Sequence, residues 1–323
     1  MPSLKEIKGR LASVNSTRKI TSAMKMVASS KLHHAQQMIE NMLPYENMLE
    51  RILLSFLASE ADANTAMSEV RPVKRVAFVA FSSNSSLCGG FNANVAKMLR
   101  TAVDEYSALG KENIVVYPIG RKIAEQAQKI EVQVAGDFTD LADKPNAAQC
   151  IEIARELCKK FMDGEFDRIE LIYHHFKSAG SQILQRKTFL PISVEEAIGH
   201  DNDRDLTHKT VTAEMQEYLK QNQKESDQHR KHVEAKPLND NFIVEPDIDT
   251  VLGKLIPKLA HLMLYTALLD SNASEHAARM VAMQTATDNA DELLRELNLQ
   301  YNKSRQQAIT NELLDIVGGS VNN

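Results

Sequence analysis

Apolar and small residues recur at alternating steps of three and four along the first stretch of the chain: Leu4, Ile7, Leu11, Val14, then Ala28, Leu32, Ala35, Ile39 and Met42. That spacing is the seam of a helix that pairs with a second helix. Between Val14 and Ala28 the same register holds Arg18, Thr21 and Lys25, so the centre of the seam is polar where a simple coiled coil would be apolar. Gly9 and Pro44 are the only breakers in 3–58. At ~1.5 Å per residue the pattern predicts a helix roughly 80 Å long with a kink near Pro44.

A partner seam occupies the other end. A helical pattern opens at Pro246-Asp247-Ile248 and runs to Val317, with Gly253 and Pro257 in its early turns. Leu252, Leu255, Leu259 and Leu262 begin the apolar stripe, and Ala277, Met280, Gln284, Thr287, Ala290, Leu294, Leu297 and Tyr301 continue it. The two termini are expected to wind about each other, and the longer C-terminal pattern leaves Ile309, Leu313, Leu314, Ile316 and Val317 without intramolecular cover before a stop at Gly318-Gly319. Uncovered apolar residues of that kind predict a partner.

Between the helices the period changes to short apolar runs: Val76–Phe81, Ile114–Ile119, 131–134 and 168–173, with a fifth strand in 182–191. Strands alternating with helical segments predict βαβ units and a partly parallel sheet, hence an α/β fold class. The turn after the first strand, 82–94, is where such a sheet would hold a ligand. It contains no GxGxxG, no Gly-Lys-Ser/Thr and no basic residue before Lys97, so it reads as a structural turn, and no nucleotide or other cofactor is expected.

Composition narrows the class without fixing it. The chain has 323 residues, 43% hydrophobic and 25% charged, enough for one or two domains with a real core. Aromatics at 5%, no Trp and 13 Met favour long helices over a sandwich. Cys88, Cys150 and Cys158 have neither CxxC spacing nor a His partner set, so neither zinc nor a disulfide framework is expected. No run approaches ~20 apolar residues, and no leader is recognisable at the N-terminus. The formal charge of −5 conceals a basic end, with Lys5, Lys8, Arg10, Arg18, Lys19, Lys25 and Lys31 facing only Glu6 within 1–34. A basic helix suits an acidic protein, an anionic membrane or nucleic acid, and charge alone does not choose among them.

Residues 20–32 (ITSAMKMVASSKL), 273–280 (ASEHAARM), 301–306 (YNKSRQ) and 309–313 (ITNEL) choose. In this order around an α/β middle they resemble the signatures of the γ subunit of bacterial F-type ATP synthases. The loop Ser83-Asn84-Ser85-Ser86-Leu87-Cys88-Gly89 is similar to the family's Ser-Asp-x-Gly-Leu-Cys-Gly, with Asn84 and Ser86 departing from it. The resemblance implies a long antiparallel coiled coil of the terminal helices plus a Rossmann-like α/β globular domain. It implies a central-stalk rotor that couples ion flow through the membrane ring to ATP synthesis or hydrolysis and regulates catalytic activity without being an enzyme. The partners implied are an α and β hexamer with one copy of this chain, an ε subunit and the c-ring. The place implied is the cytoplasmic face of the bacterial inner membrane, reached only through the complex.

Residue by residue, Met24 and Lys25 correspond to the torque contact with an acidic β-subunit loop, and Arg279 to a position supporting the shaft nearby. Arg305, Gln306, Thr310 and Glu312 correspond to contacts with catalytic-subunit loops, while Phe242 and Glu245 correspond to the foot on the ring. The expected division is 1–62 for the N-terminal helix, 70–198 for the globular domain, 199–242 for a polar insertion and 243–323 for the C-terminal helix. The insertion is longer than the family's usual connector and carries His200, His208, His229 and His232, a weak metal or pH-sensing pattern that reads as a solvated extension. Two other classes remain open. One is an α/β enzyme, for which no nucleophile–base pair is found; the other is a coiled-coil adaptor binding an acidic partner or nucleic acid, although the aromatic or Arg-rich interleaving typical of nucleic-acid binding is missing.

Overall fold

The computed structural model describes residues 3–57, 67–192, 204, 206, 245 and 247–321. Helix α1 spans Leu4–Leu57 and continues unbroken through Pro44. Strand β1 (Val76–Phe81) is followed by α2 (Phe91–Glu105), β2 (Ile114–Ile119), α3 (Arg121–Ile130), β3 (Gln133–Val134), α4 (Thr139–Asp143), α5 (Ala147–Met162), β4 (Arg168–Ser178), β5 (Ser181–Leu190) and α6 (Ile248–Val321). By compactness the chain divides into two units, one of residues 1–30 with 279–323 and one of residues 31–278.

The larger unit is built on a five-stranded sheet in the order β3-β2-β1-β4-β5. β1 pairs in parallel with β2 and β4, β2 in parallel with β3, and only the hairpin partner β5 runs antiparallel. Alternation along β1 decides both faces, because successive side chains point to opposite sides. Ala77, Val79 and Phe81 join α4, α5, Leu49 and Leu53 of α1, and Leu252 through Leu268 of α6 on one side. Val76, Phe78 and Ala80 join α2 and α3 on the other. A central strand covered on both faces must be apolar throughout, which is why VAFVAF reads as a continuous run.

Two strand boundaries differ from the sequence expectation by more than one residue. The run 131–134 contributes only Gln133–Val134, since Glu131 adopts φ 63° as the left-handed cap of α3. β4 continues past Tyr173 through His174 and His175, which are buried and hold the strand on to Ser178. At the β2–α3 turn Gly120 has φ 109°, and a Cβ there would lie 2.1 Å from the Ser82 carbonyl oxygen. Only glycine lets the turn close against β1.

Among the described residues one helix, α6, is long and apolar enough by composition to cross a membrane, with mean hydropathy 1.2 over its most apolar window. Half of that window is buried, as expected for a helix covering a sheet.

The smaller unit is a two-helix coil. Every seam position expected in it is buried or half-buried: Leu4, Ile7, Leu11, Val14, Arg18, Thr21, Lys25 and Ala28 on α1, and Met280, Gln284, Thr287, Ala290, Leu294, Leu297 and Tyr301 on α6. The pairs Arg18–Asp291 and Thr21–Thr287 run in opposite directions along the two helices, which makes the coil antiparallel.

Candidate functional site: the paired terminal helices

The coil holds its polar centre by specific bonds. Thr21 and Thr287 hydroxyls are 2.8 Å apart, and Arg18 donates to Asp291 at 3.1 Å. Met24 and Lys25 follow, both half-buried. Ile20, Met24 and Val27 fall at i, i+4 and i+7 on one helical face, and Ile20 and Val27 are more than half exposed, as is Met26. An apolar face left open beside a satisfied seam is a place for a second protein. Sequence reasoning on the seam alone missed Ile20, Met26 and Val27; the signal that could have found them is apolar character at positions outside the seam register.

The basic character of this end is available to a partner. Glu6 is held by Arg10 at 2.9 Å and Arg18 by Asp291, whereas Lys5, Lys8, Lys19, Lys25 and Lys31 make no ion pair among the described residues. Such charge steers an acidic partner and sets its register more than it adds affinity.

On α6, Arg279 is half-buried, and Arg305, Gln306 and Thr310 are exposed on successive turns. The Thr310 hydroxyl donates to the Gln306 carbonyl at 2.9 Å. Glu312 lies in the helix, and its side chain is outside the described set. Ile309, Leu313 and Leu314 are exposed, as the unpaired end of the pattern predicted. Glu245 is exposed ahead of α6, and Phe242 lies outside the described residues. Of the expected site residues, Met24, Lys25, Arg279, Arg305, Gln306 and Thr310 all belong to the coiled-coil unit; Glu245 belongs to the other.

The recognisable stretch 273–280 has a different job at its start. Ala273, Ser274 and Ala277 are fully buried, and Ser274 donates to the His174 carbonyl at 3.2 Å. Small residues there let α6 approach the sheet closely. The loop after β1 likewise uses its polar side chains within the globular unit, on itself and on α4. Ser83 Oγ donates to the Ser85 carbonyl at 2.6 Å and accepts from Asn92 Nδ2 at 2.7 Å. Asn84 Nδ2 donates to the Thr139 carbonyl at 2.8 Å and to Asp143 at 2.7 Å.

A family model described as ATP synthase matches residues 3–321. The ATP synthase gamma chain of Phocaeicola vulgatus is 51% identical, covering 99% of this chain and 100% of its own length. The chain belongs to the γ-chain family of F-type ATP synthases. The γ chain of Flavobacterium johnsoniae is 40% identical over 99% of this one and 98% of itself. Among solved structures, the central stalk and c-ring of the Tetrahymena thermophila mitochondrial ATP synthase has a chain matching with TM-score 0.52 and 23% identity, covering 83% of this γ chain and 99% of that one. A chain of the Euglena gracilis mitochondrial ATP synthase matches with TM-score 0.57 and 17% identity, covering 98% and 93%; at these identities both report the shared fold. As a γ chain this protein is a central-stalk rotor subunit of an F-type ATP synthase, and the adaptor reading has no support.

Proposed function

We propose that this γ chain, itself non-catalytic, transmits torque between the membrane c-ring and an α/β hexamer that holds one copy of it. Met24 and Lys25 meet an acidic loop of a β subunit, with Arg279 supporting the helix pair near that contact. Arg305, Gln306, Thr310 and Glu312 engage catalytic-subunit loops further along α6. Phe242 and Glu245 sit at the ring, and an ε subunit completes the stalk. The complex places the chain at the cytoplasmic face of the bacterial inner membrane as a peripheral subunit.

The observation that carries the torque contact is the open apolar face at Ile20, Met24 and Val27 among lysines that make no ion pair among the described residues. A coil presenting apolar and basic surface on one side binds each β-subunit conformation unequally, and unequal binding is the condition for driving one conformation into another.

The test has two parts. Hexamers of α and β from the same source are purified with and without this chain; one copy per hexamer and ATPase activity dependent on it are expected, and indifference of the hexamer overturns the reading. Met24→Lys is then expected to leave assembly intact and to lower proton pumping per ATP hydrolysed. Unchanged pumping would remove Met24 from the torque contact.

A further inference from the structure

A buried ion cluster in the globular unit joins α1, β4 and α6 to a residue of the polar insertion. The guanidinium of Arg204 faces both oxygens of Asp270, Nε to Oδ1 at 2.9 Å and Nη2 to Oδ2 at 3.0 Å. His175 Nδ1 lies 2.7 Å from the same Oδ2, and Glu46 Oε2 is 3.4 Å from Arg204 Nη1. Side-chain exposure is 0% for Asp270, 1% for His175, 3% for Arg204 and 22% for Glu46.

A carboxylate this deeply buried requires a counter-charge, and the planar fork of a guanidinium meets it with two parallel bonds that an ammonium cannot make. We infer that Asp270, Glu46 and His175 form a guanidinium-binding socket, filled from within by Arg204, that holds this residue in the globular unit. Asp270 supplies the matching fork. His175 donates from Nδ1 to Oδ2 and so fixes the plane of the carboxylate. Glu46, the most exposed member among these described residues, adds a second negative charge on the side from which a free guanidinium ion enters when the Arg204 side chain is missing. The socket uses none of the coil residues assigned to torque, so it is a separate recognition site in the same molecule.

The test is chemical rescue in the full-length chain. Arg204→Ala is expected to speed amide hydrogen exchange over residues 268–276 by at least about tenfold, as expected when a buried pair loses one member. Guanidinium chloride at low, non-denaturing concentration is expected to restore slow exchange, and sodium chloride of equal ionic strength is not. The doubly substituted Arg204→Ala, Asp270→Asn chain is expected to resist rescue. Unchanged exchange in Arg204→Ala, rescue by sodium chloride, or rescue of the double variant overturns the socket. If Arg204→Ala does not fold, Arg204→Lys decides, since it keeps the charge and loses the fork: faster exchange around Asp270 supports the socket, and wild-type exchange overturns it.

Discussion

The hydroxyls of Thr21 and Thr287 meet at 2.8 Å across the antiparallel coil, in the middle of a seam that is apolar on either side. Each hydroxyl has one proton. Thr287 has the Met283 carbonyl within reach at 2.8 Å and Thr21 the Arg18 carbonyl at 3.0 Å, so one hydroxyl bonds its own helix while the other donates across the coil. With Arg18 and Asp291 beside them, these groups fix the register of the two helices, because a slip would leave polar groups unpaired within the seam.

Thr21→Val and Thr287→Val should each destabilise the chain by about 1 kcal/mol, and the double variant by less than the sum. Either single substitution already removes the bond across the coil and leaves the surviving hydroxyl only its own helix carbonyl, so the second substitution has less to lose. A double-mutant cycle by urea unfolding measures this coupling. Strictly additive effects would show that the hydroxyls do not interact.

Asn84, where the resemblance implies Asp, is bonded as only an amide can be. Its amide nitrogen donates to the Asp143 carboxylate and the Thr139 carbonyl, while its oxygen accepts from the Arg121 amide at 2.9 Å. Asn84→Asp removes two donors and sets a carboxylate against Asp143, with an expected cost of about 1–3 kcal/mol. Adding Asp143→Asn restores a donor–acceptor pair and should recover part of that loss in thermal unfolding. No recovery in the double variant would place the cause elsewhere.

His174 is buried at the core end of β4, stacked on Phe91 at a ring separation of 4.4 Å, and burial pushes its imidazole down to about 4. The folded chain keeps the ring neutral, whereas the unfolded chain takes up a proton below about 6.5. Stability from this group is therefore complete above that value and is lost as pH falls toward 4, by on the order of 3 kcal/mol. The buried Nδ1 makes no hydrogen bond, so His174→Phe removes the titration without leaving a broken pair. Unfolding free energy measured across this window should slope less in the variant. Some slope remains, because burial and then Arg155 also lower His261. An identical slope in both chains would exclude His174 as the source.

Cys150 and Cys158 lie in the core against the sheet, and burial pushes their thiols up to about 12 and about 11. Thiolate is the reactive form. Both should resist alkylation in the folded chain near neutral pH and react readily in denaturant. Fast labelling of Cys150 without denaturant would mean that α5 opens locally from the sheet.

The linear pattern by itself determined the coil, because a seam of threes and fours depends only on local helical geometry: all fifteen of its expected positions in the smaller unit are covered. It determined the parallel strands for the same reason, since runs such as VAFVAF are apolar over their whole length. It also carried the family motifs, and with them the rotor assignment. Only tertiary structure decided which side of the coil stays open, for Ile20 and Val27 look like any other apolar residues until the second helix is seen not to cover them. It decided that Ala273, Ser274 and Ala277 serve close packing on the sheet, and that β4 carries two histidines into the interior. It alone brought Arg204 to Asp270 and Glu46, residues 66 and 158 positions away in the chain. Periodicity reports what each segment wants to bury; the pairing of charges far apart in sequence depends on how those buried faces meet.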